Sequence, residues 1–268
     1  MKAVKEYAQM LEESVLQEKP TAEIFDCAFD TVAIKRKIAK NSIAASAMDL
    51  DYGKEIFEGN LNYGARAVAV VENGGDFRLD TCYGDGKLFH AVFRIYDTLG
   101  SVEFDDFTIG QNAAGELKIQ DCFIYNLSCW LTEKMESEIV YNAMRNMESL
   151  DSTANLMGQV ILLHNIGDFS AMLKLLKENP GLAKTYPAYN MYYLIGLRNV
   201  SEQYISDLEW LEQQQADKRF FLTHAMSYYA NTREIENLFD IMNQLMSHTG
   251  DDPIYWVLFG KSLAEAGL

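Results

Sequence analysis

Leu88-Phe89-His90-Ala91-Val92-Phe93-Arg94-Ile95-Tyr96 is the stretch on which the fold turns. Successive side chains of a strand point to opposite faces. Phe89, Ala91, Phe93 and Ile95 therefore share one face, and His90, Val92, Arg94 and Tyr96 share the other. An all-apolar row beside a mixed row predicts a strand over 88–96 with one face on a core. Its surroundings keep the same period. Phe77, Leu79, Thr81 and Tyr83 alternate with Arg78, Asp80 and Cys82, and Val68 and Val70 alternate with Ala67, Ala69 and Val71. The two-residue period thus starts near Gly64. Asn73-Gly74-Gly75-Asp76 is a hairpin signal, Gly84-Asp85-Gly86 a second turn, and Gly100 a break. Further strands are expected over Val102–Ile109 and from Leu117 to about Leu131, joined by a turn at Asn112–Gly115. Within Val102–Ile109, Val102 and Phe104 are out of phase with Phe107 and Ile109. A β-bulge at Asp105-Asp106 would bring both pairs to the core and bend the sheet.

On either side of this block the period is helical. Upstream, Val4, Tyr7, Ala8, Leu11 and Val15 form one stripe, Pro20-Thr21 interrupts it, and Ile34, Ile38 and Ile43 continue it. Another segment runs over 52–61. Downstream, helices are expected near 133–149, 153–165, 168–179, 187–198, 201–214, 219–230, 233–248 and 253–266. Breakers separate them: Gly167-Asp168, Pro180-Gly181, Asn199, Asn231 and Gly250. The first helices of successive pairs start near 153, 187, 219 and 253. Two helices per step of about 34 residues is the period of a helical-hairpin solenoid. The expected fold class is an α+β domain, helices plus a curved antiparallel sheet, over 1–131, followed by an all-α solenoid over 132–268.

The 268 residues are 49% hydrophobic and carry 23 basic against 39 acidic side chains, a net of −16. The charge is −8 in residues 1–130 and −8 in 131–268. Binding to nucleic acid or anionic lipid is driven by cations on phosphates, so neither partner is expected. No run of about 20 apolar residues suits a membrane span. The N-terminus lacks the apolar segment of a signal peptide. Cys27, Cys82, Cys122 and Cys129 are too scattered for a disulfide framework, and a cytoplasmic location is expected. His164, His224 and His248 have no metal-ligand spacing, so neither a metal nor a cofactor is expected.

Two resemblances follow. Trp256-x-x-Phe259-Gly260-x-x-Leu263-x-x-x-Gly267 resembles a tetratricopeptide repeat, and Gly167-Asp168-Phe169 resembles that family's turn between helices. Tyr189 and Pro187 stand two periods before Tyr255 and Pro253. The resemblance covers about 115 residues and implies a groove, lined by the first helix of each unit, that binds a protein or peptide. Few Lys or Arg fall there, which disfavours a carboxylate-ending tail. Trp256 and Phe259 are expected to pack inward. The segment 1–130, helices and then a bent sheet with a late strand Leu117-Lys118-Ile119-Gln120-Asp121-Cys122-Phe123-Ile124-Tyr125, resembles the NTF2-like (SnoaL-type, cystatin-like) fold. That resemblance implies a cone-shaped cavity, in which enzymes of the superfamily place an Asp, His or Tyr, and an outer sheet face that forms homodimers.

Candidate site residues come from strand parity. If His90 and Arg94 share a face with Asp121 and Tyr125, the four form an acid–base set for a small-molecule or lyase/isomerase-like pocket. The alternative turns His90 and Arg94 outward, solvated or against the helical domain. In the helical half, Tyr186, Tyr189, Tyr192 and Tyr193 crowd one region, and a contact surface and core packing account for them equally. The reading with most support is a non-enzymatic scaffold or adaptor.

Overall fold

The computed structural model describes residues 1–17, 19–84, 88–98, 102–127, 129–145, 152–184, 186, 188–200, 204–214 and 219–265. The expected turn at Asp85-Gly86, the break at Gly100, Pro187 and the ends of the 133–149 and 253–266 helices lie outside them. The chain forms two compact units, Met1–Asn126 with Trp130–Val140, and Leu127–Cys129 with Tyr141–Leu268.

The first unit opens with α1 (Lys2–Leu16), α2 (Ala22–Asp26), α3 (Thr31–Ile38), α4 (Ser42–Ala47), α5 (Asp51–Leu61) and α6 (Tyr63–Glu72). On α1, Val4, Ala8, Leu11 and Val15 are buried, the single stripe that helical spacing dictates. Asp30 caps α3 by accepting from the Ala33 amide at 2.9 Å, and Lys35, Arg36 and Lys37 close its last turn, where the helix dipole favours cations.

The Val68–Val71 segment is helix, not the expected strand. Along α6, Tyr63, Gly64 and Ala67 are buried, and only a helix brings them together. A Cβ on Gly64 would lie 2.5 Å from the Ala22 carbonyl and 2.8 Å from the Phe25 Cβ, so α2 and α6 meet at this glycine. Tertiary packing overrides the β preference of the valines. Asn73-Gly74-Gly75-Asp76 is correspondingly not a hairpin. Gly74 has φ +86°, its amide donates to the Val71 carbonyl and the Gly75 amide to the Val70 carbonyl. These are the paired bonds of a Schellman helix ending.

The sheet follows: β1 (Asp76–Gly84), β2 (Phe89–Tyr96), β3 (Val102–Gln111), β4 (Leu117–Ile124) and the two-residue β5 (Cys129–Trp130), side by side in chain order. Asn112 closes the β3–β4 hairpin by accepting from the Ala114 and Glu116 amides, with Gly115 at φ +81°. The expected bulge at Asp105-Asp106 is absent. There β3 pairs without interruption, Asp105 with Phe93 and Ile124, Asp106 with Val92 and Phe123. The irregularities fall between Leu79 and Thr81 and between Thr108 and Ile109 instead. Phe104 and Phe107 stay on opposite faces, and both are buried. The out-of-phase pattern thus records a sheet buried on both faces.

One face carries Phe77, Phe93 and Phe107, which pack around Phe25 at centroid distances of 5.5–5.9 Å. Tyr63 stacks on Phe25 at 5.0 Å and meets Phe107 edge-on at 4.8 Å. The helix α7 (Leu131–Arg145) begins in this unit, with Met135, Ile139 and Val140 buried.

The second unit holds α8 (Ser152–Asn165), α9 (Phe169–Glu178), a short 3-10 turn (Pro180–Lys184), α10 (Tyr189–Val200), α11 (Tyr204–Gln214), α12 (Arg219–Thr232), α13 (Ile235–Thr249) and α14 (Ile254–Glu265). Each helix packs on the next, and α8 touches α10 as α12 touches α14. A Schellman ending closes α8: Gly167 has φ +75°, its amide donates to the His164 carbonyl, and the Asp168 amide donates to the Leu163 carbonyl. The same pair of bonds closes α12, Arg233 to Ala230 and Glu234 to Tyr229, with Arg233 at φ +62°. The two turns stand two sequence periods apart. No helix among the described residues is long and apolar enough to cross a membrane.

Candidate functional site

The β2 alternation delivers His90 and Arg94 to the face opposite the phenylalanines. Cross-strand register adds Tyr83 from β1, Asp106 from β3 and Asp121 from β4. His90 and Arg94 lie off the phenylalanine face but are buried, so of the outward alternative its solvated form does not hold.

Asp106 is the centre of one group. His90 Nδ1 lies 3.0 Å from Asp106 Oδ1, and the Tyr83 hydroxyl donates to Asp106 Oδ2 at 2.5 Å. The Tyr83 ring lies flat on the imidazole, 4.5 Å between centroids and 6° from parallel. A fully buried carboxylate is thus held by two rings that are themselves stacked. A second group surrounds Arg94. Its Nη2 donates to Asp76 Oδ2 at 2.8 Å, and its Nε stands 3.8 Å from Asp80 Oδ1. A buried guanidinium between carboxylates is the pairing that burial of charge requires.

Asp121 shares this face, because His90 pairs with Thr108 and Thr108 with Asp121. Thr108 stands between them, and the expected His90–Asp121 dyad is replaced by His90–Asp106. Asp121 is instead a structural clamp. It accepts from Lys37 Nζ at 2.9 Å, from the Thr132 hydroxyl at 2.7 Å and from the Thr132 amide at 3.2 Å. Thr132 lies in the first turn of α7, so Asp121 ties α3 and the start of α7 to β4. Tyr125 is fully buried, its ring edge-on to Phe123 at 5.2 Å.

A third polar group lies on the phenylalanine face and has no counterpart in the expected set. The Tyr63 hydroxyl donates to Asp105 Oδ2 at 2.7 Å. Glu103, two residues before Asp105 on the same face of β3, pairs with Arg66. Burial, with the Glu103 charge beside it, pushes the Asp105 carboxyl well above the ordinary range. Burial and the Asp105 charge push the Tyr63 phenol up likewise, and burial raises the Cys122 thiol. Burial works against the Arg66 charge, but Glu103 outweighs it and raises that group. The signal for both aspartates was present in the sequence: adjacent acids inside an apolar strand put one on each face.

Tyr186, Tyr189, Tyr192 and Tyr193 are all buried in the second unit. The Tyr189 hydroxyl donates to the Leu176 carbonyl at 3.0 Å, and its ring stacks on Tyr193 at 5.7 Å. Tyr192 meets His164 edge-on at 5.3 Å. They form packing between helices. Trp256 does not pack inward as expected. It is 49% exposed, and the buried aromatic of α14 is Tyr255, whose hydroxyl bonds Thr249. Among the described residues no group of three or more His, Cys, Asp or Glu could hold a metal ion. Comparison with family models, curated proteins and solved structures gives no match for the chain.

Proposed function

We propose that the protein is an interaction scaffold, in which a tetratricopeptide-like stack of hairpins in the second unit binds a partner protein. The observation that carries this reading is recurrence. The Schellman turn at Gly167 returns at Arg233, and Tyr189 and Tyr255, separated by the same two periods, are both buried at the starts of their helices. Stacked hairpins expose long rows of side chains, which suits extended protein contacts. The first unit reads as an NTF2-like domain, on the order of its helices and sheet. Its phenylalanine face is filled by Phe25 and Tyr63, which favours a structural part for it. A cytoplasmic location accords with four free cysteines.

The test is photo-crosslinking of the full chain in cells. A crosslinking residue is placed at exposed Leu162 or Ile166 on the second unit and at exposed Val32 on the first. The reading expects one protein to be captured at both second-unit positions and not at Val32. Capture of nothing specific at either position ends it.

A small-molecule site in the first unit, of lyase or isomerase type, is favoured by a different observation, the Asp106 carboxylate on the His90 imidazole. An imidazole fixed by a carboxylate is an arrangement suited to proton transfer. A small-molecule thermal-shift screen of wild type and His90→Asn separates the two. Ligand shifts of equal size in both proteins remove His90 from any such site.

A further inference from the structure

In a chain that carries −16 overall, α3 and the start of α4 are cationic. No Asp or Glu occurs from Thr31 to Met48, whereas Lys35, Arg36, Lys37 and Lys40 fall close together. The helix dipole favours cations in the last turn of α3. Two of them are engaged within the first unit. Lys37 Nζ donates to Asp121 at 2.9 Å, and Lys35 Nζ lies 5.0 Å from the centroid of the Phe57 ring on α5. Arg36 and Lys40 are exposed, and neither makes an ion pair among the described residues. Glu136 is held by Asn41, whose Nδ2 donates to it at 2.9 Å.

Val32, Arg36 and Lys40 follow one another at four-residue steps, which puts them in one row, about 6 Å between neighbours. The Ala39 amide donates to the Lys35 carbonyl and the Lys40 amide to the Lys37 carbonyl, so the row continues past the end of α3. Val32 is 65% exposed and is the apolar member of the row. The row is one helix wide, because α5, which Lys35 meets at Phe57, carries exposed Asp51, Glu55 and Glu58. A bilayer or a nucleic acid presents its phosphates over a wider area and would meet those carboxylates. A single acidic helix is narrow enough to avoid them. A second copy of this chain lacks the complementary pattern. Among the described residues, no exposed large apolar side chain on a helix has carboxylates both four and eight residues away on one side.

We infer that the Val32–Arg36–Lys40 row docks an acidic helix of a partner protein. That helix runs antiparallel to α3, with two carboxylates one turn apart and an apolar residue one turn further on. The carboxylates meet Lys40 and then Arg36, and the apolar residue covers Val32. This order puts the acids at the N-terminal end of the partner helix, where its own dipole favours them. Surface ion pairs contribute little singly, so the charges select the partner and the Val32 contact holds it. The site is separate from the second-unit stack and stands independently of the scaffold reading.

The test titrates the full chain with a stapled, glutamine-rich helix bearing two glutamates four residues apart and a leucine four residues further on. Control peptides replace both glutamates by glutamine or by lysine. Amide NMR spectra should show shifts at Val32, Arg36 and Lys40. The glutamate peptide should bind at least tenfold more tightly than the glutamine one, and less tightly as salt rises. The double variant Arg36→Glu, Lys40→Glu should prefer the lysine peptide. Should it fail to fold, Arg36→Gln, Lys40→Gln gives the same test through a tenfold loss. Equal affinity for the glutamate and glutamine peptides overturns the inference, as does undiminished binding by Arg36→Gln, Lys40→Gln or by Val32→Ser. So does a wild-type dimer in sedimentation equilibrium that Arg36→Gln, Lys40→Gln makes monomeric, since a second copy would then be the occupant. Tighter binding to phosphatidylserine vesicles than to the glutamate peptide, lost in the same variant, overturns it in favour of a membrane contact. Peptides that fail to bind leave the crosslinks at Leu162 and Ile166 as they are, so the two readings fail separately.

Discussion

The Tyr63 hydroxyl donates a 2.7 Å hydrogen bond to Asp105 Oδ2 inside a core layer otherwise built of phenylalanine rings. The bond satisfies one oxygen of a fully buried carboxyl, and Glu103 approaches that carboxyl from β3 itself. Desolvation favours the protonated form of the acid there.

This pair gives a pH dependence of defined sign. The folded Asp105 pKa lies well above that of the unfolded chain, about 3.9. Below that value both states are protonated and the burial carries no penalty. As pH rises towards the folded pKa, the unfolded chain releases its proton and stability falls by up to about 1.4 kcal/mol per pH unit. Asp105→Asn keeps the acceptor for Tyr63 but does not titrate. Urea midpoints at pH 4, 5.5 and 7 should show its advantage growing with pH. A constant difference between variant and wild type would contradict the upward shift.

Asp121 and Asp106 should separate cleanly. Asp121→Ala removes the bonds to Thr132 and Lys37 and should destabilise by about 2 kcal/mol, through a lost cap and hydrogen bonds. It should leave the ¹⁵N shifts of the His90 ring where they are. Asp106→Asn should move them, because Asp106 holds Nδ1. Ring shifts that follow Asp121 instead would restore the His90–Asp121 dyad.

Two helical glycines should respond in opposite directions to alanine. At Gly64 the new Cβ meets backbone at 2.5 Å, so α2 and α6 must part, at about 2 kcal/mol or more. At Gly59 on α5 nothing lies within 4 Å, and alanine should stabilise by about 0.5–1 kcal/mol through helix propensity. Thermal unfolding of both variants measures the contrast. A Gly64→Ala protein as stable as wild type would mean that α2 and α6 do not pack at this point.

The paired Schellman turns make a matching prediction in the second unit. Arg233 holds φ +62°, a region that disfavours a side chain by about 1 kcal/mol, and Gly167 holds φ +75° without that penalty. Arg233→Gly should therefore raise stability by about that amount, and Gly167→Ala should lower it. Opposite signs in denaturant unfolding would remove the left-handed conformation from either turn.

Much of this fold was legible because the two periods are distinct. Helices α8–α14 begin and end within a few residues of the positions that Gly167, Pro180, Asn199, Asn231 and Gly250 marked. The sheet was legible from β1 to β4 for the same reason. The misreading of α6 has a simple cause: Ala67–Val71 is apolar at every position, so its spacing favours neither period. Its helical state depends on the close approach at Gly64, a contact with Ala22 and Phe25 far back in the chain. The site was half legible. Parity paired His90 with Arg94 and Asp121 with Tyr125 within their strands, and the strand register sets His90, Arg94 and Asp121 on one face. Parity could not say that Asp106, diagonal to His90, is nearer than Asp121, two strands away. The Asp105-Asp106 pair mimics a bulge only for a strand with a single apolar face. Two buried faces make both aspartates interior, with different partners.

That two-faced sheet constrains how β3 can be threaded during folding. A slip of one residue against its neighbours would turn Asp106 into the phenylalanine layer, away from His90 and Tyr83, and would carry Asp105 away from Tyr63. Phe107 would land among charged groups in the same movement. Every mis-registered pairing therefore strands a buried carboxylate without its donor. The two adjacent aspartates act as an alignment key for the strand, independent of any chemistry they perform.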